Sequence, residues 1–262
     1  MGRLAVNIFR LWKKWDRTSQ FSFAFALFLI LPVAIIGTSG SDDLRTPALG
    51  SVMALVIVAQ VIFMWANRNM ISEYTKAQRM YLQGEFDQAR IVLEGIQDTD
   101  EYDIYARTLL GNIYRQLGDL NTSEAILYEA VNMTPNHYFP LYGFGRTLLI
   151  KGHYQQAIEA IRRSIKCGAE SVVQFDLAEA LLRVGEEQEA SEILEHISPE
   201  LTHEPHRQLM AEYWLSRLGK MAYPSDELIN LGLPYWERHA QLFDHTPYGQ
   251  SLEQDVRELR IS

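Results

Sequence analysis

Few side chains in this sequence have the types and spacing that metal or nucleotide chemistry needs. His203 and His206 could offer two imidazole nitrogens to a zinc ion, but Pro205 breaks the helix that a zinc helix motif requires, and no third ligand lies nearby. Gly143 and Gly145 precede Arg146 in a short glycine-rich run, which belongs to a pattern repeated along the chain and is not a phosphate loop. We therefore predict no metal and no cofactor.

The remaining reactive side chains do not form a catalytic group. His137 and His153 are isolated, and the adjacent acidic pair Glu186 and Glu187 falls in a predicted turn. Cys167 is the single cysteine, so an intrachain disulfide is excluded. We expect it to be a small buried apolar residue rather than a reactive thiol. No pair of carboxylates recurs at an inward-facing position. We predict that the chain is not an enzyme and has no small-molecule substrate.

The charge of the chain is unevenly distributed. The formal net charge is −9, and residues 67–262 carry 18 basic and 30 acidic side chains, a net charge of −12. Nucleic-acid binding needs clustered Lys and Arg, so we predict no nucleic-acid partner.

The elements that position these residues repeat along the chain. Gly84, Gly118, Gly152 and Gly185 are separated by 34, 34 and 33 residues. The same phase recurs at other positions: small residues stand at 77, 111, 145 and 178, and large apolar residues follow three positions later. A glycine in this phase is expected to end the first helix of each unit, because it accepts the left-handed conformation. A fixed period of this size indicates a helical repeat array.

The second unit carries the fullest motif and resembles the tetratricopeptide repeat family. It reads Leu110-Gly111, Tyr114, Gly118, Ser123, Leu127, Ala130 and Pro135. The resemblance covers about half of the chain and departs from the family in lacking its tryptophan. It implies an all-α fold, with an α-solenoid of about four units at 70–103, 104–137, 138–170 and 171–204 inside an array of residues 67–204. Residues 205–262 are predicted to form capping and C-terminal helices, with one helix over 205–219 and others starting at Ser225, Pro234 and Thr246.

The region before the array is predicted to be a transmembrane hairpin over residues 21–66. The runs 21–37 and 48–66 contain no charged residue, and each is near the roughly 20 residues that cross a bilayer as a helix. Thr38 to Pro47 is the predicted turn. A cleaved signal peptide is an alternative for the first run, although it leaves the second run in place.

The basic residues predict how the hairpin is oriented. Residues 1–20 carry a net charge of +4, and further cations follow the second run. The positive-inside rule therefore predicts that both termini and the array face the cytoplasm, in a multi-pass protein of the plasma membrane. The short polar turn favours a bacterial inner membrane.

The first 20 residues are predicted to form a basic interfacial segment that contacts membrane lipid. One helical face holds Leu4, Ile8, Leu11, Trp12 and Trp15, with cations elsewhere on the wheel. The alternative is a simple extension of the first span.

The junction between hairpin and array contains no strong helix breaker. No glycine or proline occurs between Ser51 and Gln83. We therefore expect the second span to continue into the first repeat helix as one rod, the alternative being a break at 67–69.

The family resemblance implies that a protein partner binds the inner, concave face, which is lined by the first helix of each unit. The candidate residues on that face are Tyr74, Tyr81, Tyr105, Asn112, Arg115, Phe139, Tyr142, Arg146, Phe175 and Arg183. Aromatic residues and arginines are frequent in protein-contact hot spots. We expect Tyr142 and Arg146 to contribute to binding rather than to stability.

The resulting hypothesis is a membrane-anchored repeat scaffold that binds a partner protein at the cytoplasmic face and supports assembly or regulation of a membrane complex. The alternative is a structural subunit of a membrane-embedded complex. By analogy with bacterial inner-membrane repeat proteins, such a complex would belong to secretion, exopolysaccharide or respiratory machinery.

Overall fold

The structure is a computed structural model that describes residue 12 and residues 15–67 and 72–261. All regular structure in these residues is helical, which confirms the predicted fold class. The chain divides into two compact units, Met1–Ser72 and Glu73–Ser262.

The first unit contains two apolar helices, α1 (Arg17–Ser39) and α2 (Asp42–Asn67). Asp16 caps α1, because its carboxylate accepts a hydrogen bond from the amide of Ser19 at 3.0 Å. The helices run antiparallel, with Phe23 beside Phe63 at one end and Gly37 beside Ala48 at the other. Both are long and apolar enough to cross a membrane.

The connection between α1 and α2 is shorter than the predicted turn of Thr38 to Pro47. Only Gly40 and Ser41 separate the two helices. Helix α1 extends two residues past its apolar run, to Ser39, and the Thr38 hydroxyl donates to the carbonyl oxygen of Ala34 at 3.1 Å. Pro47 lies inside α2, close to its start, where a missing amide hydrogen removes a single helical hydrogen bond.

The predicted interfacial segment lies mostly outside the described residues, including Leu4, Ile8 and Leu11. Trp15 is buried, and its ring packs edge-on against Phe23 and Phe63, with centroids 5.3 and 5.5 Å away. Trp15 therefore packs against the hairpin.

The junction also lies outside the described residues. Helix α2 ends at Asn67 and the next helix begins at Glu73, while residues 68–71 between them are not described. The continuous rod therefore stays a prediction.

The second unit begins with four helix pairs, one in each predicted repeat. They are α3 (Glu73–Leu82) with α4 (Phe86–Glu94), α5 (Ile104–Gln116) with α6 (Leu120–Met133), α7 (Tyr138–Ile150) with α8 (Tyr154–Lys166), and α9 (Val173–Arg183) with α10 (Glu187–Ile197). The four phased glycines follow the first helix of each pair with φ between 79° and 83°, as the sequence predicted. The buried apolar residues form two clusters, one among the first two pairs and a second that includes the last two pairs and the helices after them.

Three further α-helices follow a 3-10 turn at Ser198–His203. They are α11 (Pro205–Arg217), α12 (Asp226–Leu242) and α13 (Pro247–Ile261). Ser225 caps α12 through its side chain, as expected.

The prediction that a helix starts at Pro234 is wrong, because Pro234 lies inside α12. Proline leaves the carbonyl of Asn230 without its helical donor, but both residues are exposed, so water can take that place. Gly232 lets α12 approach α11 closely, since a Cβ at this position would stand 2.7 Å from the carbonyl oxygen of Pro205.

Candidate protein-binding face

Contacts between the first helices of neighbouring units bring several of the predicted residues together on the inner side of the array. Tyr74 of α3 contacts Tyr105 of α5, with ring centroids 6.4 Å apart, and Tyr105 stacks on Phe139 of α7 at 6.2 Å. Further along, Arg115 of α5 donates to the carbonyl oxygen of Gly143 in α7 at 3.2 Å. The helix repeat thus joins residues that are 28 to 34 positions apart in sequence.

One end of this face is an exposed aromatic cluster, formed by Tyr74, Tyr105, His137, Tyr138 and Phe139. Tyr105 and Tyr138 are 43% and 42% exposed. His137 caps α7 by accepting from the amide of Phe139 through Nδ1, and its Nε2 lies 3.3 Å from the Tyr105 hydroxyl oxygen. The rings therefore hold one another at the N-terminal ends of α3, α5 and α7 while leaving surface available for contact.

The sequence does not single out His137 and Tyr138 as candidates for binding, because His137 has no other histidine or charged partner near it in sequence. The signal that could have found them is their position at the start of the third unit, one repeat after Asp103 and Ile104. Residues at the starts of neighbouring first helices lie side by side in a repeat array.

The middle of the inner face holds a buried arginine with neutral partners. Arg115 is 4% exposed and donates through Nη1 to the Asn112 side-chain oxygen at 2.7 Å. Burial, together with the nearby Arg146 guanidinium, lowers the pKa of Arg115. Tyr81, half-buried at the edge of this region, accepts a hydrogen bond from Gln116 at 3.4 Å.

A buried ion pair joins the third and fourth units. Arg146 Nε lies 3.4 Å from Asp176 Oδ1, and the Tyr142 hydroxyl donates to Asp176 Oδ2. Asp176 is 1% exposed. Burial and the Asp176 carboxylate raise the pKa of Tyr142, which therefore stays a hydrogen-bond donor.

A second ionic group lies at the end of α9. Arg183 Nη2 lies 3.5 Å from Glu179 Oε1 and 2.8 Å from Asp255 Oδ2. Asp255 belongs to α13, so this contact ties the C-terminal helix to the inner face. Phe175, one turn before Glu179, is fully buried, and its ring stacks on that of Trp214, with centroids 5.5 Å apart.

Helices α12 and α13, which we call the C-terminal hairpin, cover much of this face. Leu242 of α12 reaches Gly118 in the second unit, and Pro247 of α13 packs on Gly152 in the third. Trp236 of α12 lies over Phe175, with centroids 6.2 Å apart. The sequence left open whether the C-terminal aromatic residues pack on the array or on a partner; Trp236 and Phe243 belong to the array core.

The predicted binding residues therefore fall into two groups. Tyr74, Tyr105 and Phe139 belong to the exposed aromatic cluster, and half-buried Tyr81 lies apart from it, bonded to Gln116. The other residues have partners within the chain or are buried in its core: Asn112, Arg115, Tyr142, Arg146, Phe175 and Arg183. A role in partner binding stays a prediction for both groups, and for the second group it would require partners to be exchanged.

Glu179 predicts a dependence of stability on pH. Its buried carboxyl has a pKa raised from 4.5 to about 7, chiefly because burial disfavours the charged form, while Arg183 opposes the shift. The native state then binds more protons than the unfolded state between these values. The free energy of unfolding should therefore fall as pH rises from 4.5 to 7, by on the order of 3 kcal/mol from this group.

Glu179→Gln isolates this effect, because the amide does not titrate. We expect the variant to gain stability relative to the native chain as pH rises from 4.5 to 7, and the difference to be constant below pH 4.5. His206 and His239, whose pKa values burial lowers to about 4 and about 3, shift stability in the opposite direction in both proteins. Melting curves of both proteins from about pH 4 to about pH 8 test this, and a difference that does not change with pH would contradict it.

Comparison with known proteins identifies the repeats. Residues 104–137 match the sequence model of the tetratricopeptide repeat. Tetratricopeptide repeat protein 21B of Mus musculus is 28% identical over 131 residues, 47% of this chain and 10% of that protein. The Homo sapiens protein is 33% identical over 105 residues, 39% of this chain and 8% of that protein. The chain thus spans about a tenth of the length of these relatives.

The solved structures include the same fold. A thermophilic tetratricopeptide repeat protein of Thermus thermophilus aligns with a TM-score of 0.52 and 15% identity, covering 72% of this chain and 98% of that one. At this identity the likeness shows the fold alone. The matched repeat, the phased glycines and the four helix pairs together identify the array as a tetratricopeptide repeat fold.

Proposed function

We propose that this chain is a membrane-anchored tetratricopeptide scaffold that binds a partner protein at the cytoplasmic face and supports assembly or regulation of a membrane complex. The tetratricopeptide fold supports a role in protein–protein interaction. The observation that carries the location of binding is the exposed aromatic cluster. It leaves Tyr105 and Tyr138 accessible, whereas Arg146 and Arg183 of the inner face are paired within the chain.

The composition of the cluster suits a protein partner. Tyrosine and phenylalanine present large, rigid contact areas with few rotatable bonds, and they are enriched in interface cores. Tyr105 offers a hydroxyl beside its apolar ring, so a partner can both pack on it and bond to it. The proposed ligand is an extended or helical protein segment that places apolar side chains on these rings.

The apolar helices of the first unit support the membrane anchor. Phe21, Phe25 and Phe28 lie on one face of α1 and are 63–76% exposed, and Met53 and Met64 of α2 are also exposed. Exposing these side chains to water would cost roughly 25 cal/mol per Å² of apolar surface, whereas a bilayer removes that cost. We propose that both helices span the plasma membrane, with membrane lipid as a second contact.

The topology is tested by a reporter fused after Ser262. The basic residues before α1 and after α2 favour a cytoplasmic location of both ends, by the positive-inside rule. A cytoplasm-active reporter should give full signal there, and a reporter that works only after export should be silent. The reverse pair of results would refute the proposed orientation.

The aromatic cluster is tested by photo-crosslinking in native membranes. A photo-reactive phenylalanine in place of Tyr105 should give a defined adduct with a partner protein. The same residue in place of Tyr128, an exposed tyrosine of α6, serves as the matched control. Adding Phe139→Ala should reduce the Tyr105 adduct by about tenfold, since losing one hot-spot aromatic residue costs about 1–2 kcal/mol or more. Equal adducts at 105 and 128 would contradict the assignment.

Crosslinking in the same membranes distinguishes a scaffold from a structural subunit. A scaffold should lose its partner when the aromatic cluster is altered, while the other components of the complex stay assembled around α1 and α2. A structural subunit should keep its partners after the Tyr105 and Phe139 changes, because its contacts would lie along the exposed apolar faces of α1 and α2.

A further inference from the structure

Helix α13 occupies the inner face of the array in the manner of a bound helix. Its inward side is apolar, with Tyr248, Leu252, Val256 and Leu259 all buried at helical spacing. Its outward side is polar and exposed, as is usual for an amphipathic helix lying in a groove.

One carboxylate on the inward side of α13 is bound by three donors of the array and α11. Asp255 accepts from Arg183 Nη2 at 2.8 Å, from Arg217 Nη1 at 3.2 Å and from the Trp214 indole nitrogen at 3.5 Å. Asp255 is 2% exposed. Two guanidinium groups and an indole N–H together recognise a carboxylate, because they supply donors and charge without an acceptor.

The chemistry of this contact is that of a binding interface rather than of an aliphatic core. The Arg183 guanidinium lies 5.8 Å from the centre of the Trp214 ring and 6.0 Å from that of Tyr248. Arginine, tryptophan and tyrosine are the residues that dominate interface hot spots. Oε1 of Glu179, buried beside them, receives no hydrogen bond from the described residues. Buried ion pairs contribute little net stability, because the cost of removing both charges from water offsets their attraction.

The C-terminal hairpin is joined to α11 by an exposed connection. Residues 219–223 between α11 and α12 are exposed, and Gly219 has a φ of 71°. A cavity of about 330 Å³ lies beside the Asp255 carboxylate, with Arg183, Arg217 and Trp214 among its lining residues. This cavity therefore reaches the residues that bind the Asp255 carboxylate.

We propose that the groove over the third and fourth units and α11 is a binding site for an acidic amphipathic helix of a partner protein, and that the C-terminal hairpin closes it until such a helix replaces α13. The partner helix presents apolar residues at the spacing of Tyr248, Leu252, Val256 and Leu259. It places a carboxylate in the Asp255 position. This site is separate from the aromatic cluster and does not depend on the membrane anchor.

The test uses a fluorescein-labelled peptide of residues 245–261 as the probe and the full chain in detergent micelles. In the native chain the groove is occupied by its own hairpin, so the probe should bind weakly. Asp255→Lys places a cation against Arg183 and Arg217, which should release α13 and tighten probe binding by at least about tenfold. Glu253→Lys, on the exposed side of the same helix, is the matched control and should bind like the native chain. Equal probe affinity in all three proteins overturns the proposal.

A second experiment separates groove opening from unfolding. A protease site replaces residues 219–223, and the full chain is cleaved after folding. The hairpin fragment should leave the array on dilution, the array should keep its melting transition, and it should then bind the probe. A fragment that excess probe does not displace, or an array that loses its transition without the hairpin, overturns the proposal. Exchange of hairpins between two copies, seen as a dimer by light scattering, would make a second copy the occupant and overturn the partner assignment.

Discussion

Replacing Arg146 by alanine should reduce the free energy of unfolding by about 3–5 kcal/mol, the usual cost of removing one partner from a buried ion pair. Arg146 Nε lies 3.4 Å from Asp176 Oδ1, and Asp176 is 1% exposed. Without the guanidinium, a buried carboxylate would retain only the Tyr142 hydroxyl as a close donor among the described residues. Chemical denaturation of the full chain in micelles, followed by far-UV circular dichroism, measures the change.

Two matched variants determine whether burial causes this effect. Arg162 pairs with Glu189 at 2.6 Å, but both side chains are more than 40% exposed. Arg162→Ala should therefore cost no more than about 1 kcal/mol. The double change Arg146→Met with Asp176→Leu should recover most of the lost stability, since it removes both buried charges.

The sequence pattern instead predicts that Arg146 and Tyr142 contribute to partner binding rather than to stability. One pair of results would support that prediction. Should Arg146→Ala leave the unfolding curve unchanged and reduce the Tyr105 adduct, Arg146 would act in binding and the ion pair would be energetically unimportant.

The repeat array was predictable from sequence because its signals are local. Each of the four phased glycines ends a first helix with positive φ, a conformation that other residues rarely adopt. The small residues in phase with them bring paired helices together. Such signals depend on a few neighbouring residues. Because they recur once per unit, each recurrence is further evidence for the repeat.

Local sequence signals do not predict that α12 and α13 cover the inner face. Asp255 is one acidic residue among 33 Asp and Glu in the chain, and nothing in its neighbours marks it as buried. Its partner Arg183 is 72 positions earlier, and the contact forms only because α12 and α13 fold back over the array. Pro234 gave a misleading local signal, since proline usually marks a helix start but here lies within a helix at an exposed position.

The second large effect concerns the close contact inside the third unit. A Cβ at Gly145 would stand 2.6 Å from Ile161 Cγ1 and 3.2 Å from the Ile161 amide nitrogen. Helices α7 and α8 would have to separate to admit it. Overpacking typically costs about 1–3 kcal/mol, and Gly145→Leu adds a whole leucine side chain at a contact with backbone. We therefore expect a loss of about 3 kcal/mol, at the upper end of that range.

For a domain of this size, a loss of about 3 kcal/mol corresponds to a fall in Tm of roughly 6–12 °C. Gly95→Leu provides the control, because Gly95 is exposed at the end of α4, has a φ of −65° and would place its Cβ no closer than 3.4 Å to any neighbouring atom. Thermal melting of the two variants beside the native chain compares a leucine at a helix contact with one at an open helix end. If both variants melt like the native chain, then α7 and α8 are not in the close contact that the repeat register requires. A selective loss in Gly145→Leu would instead show that the small residue of the repeat sets the distance between its two helices.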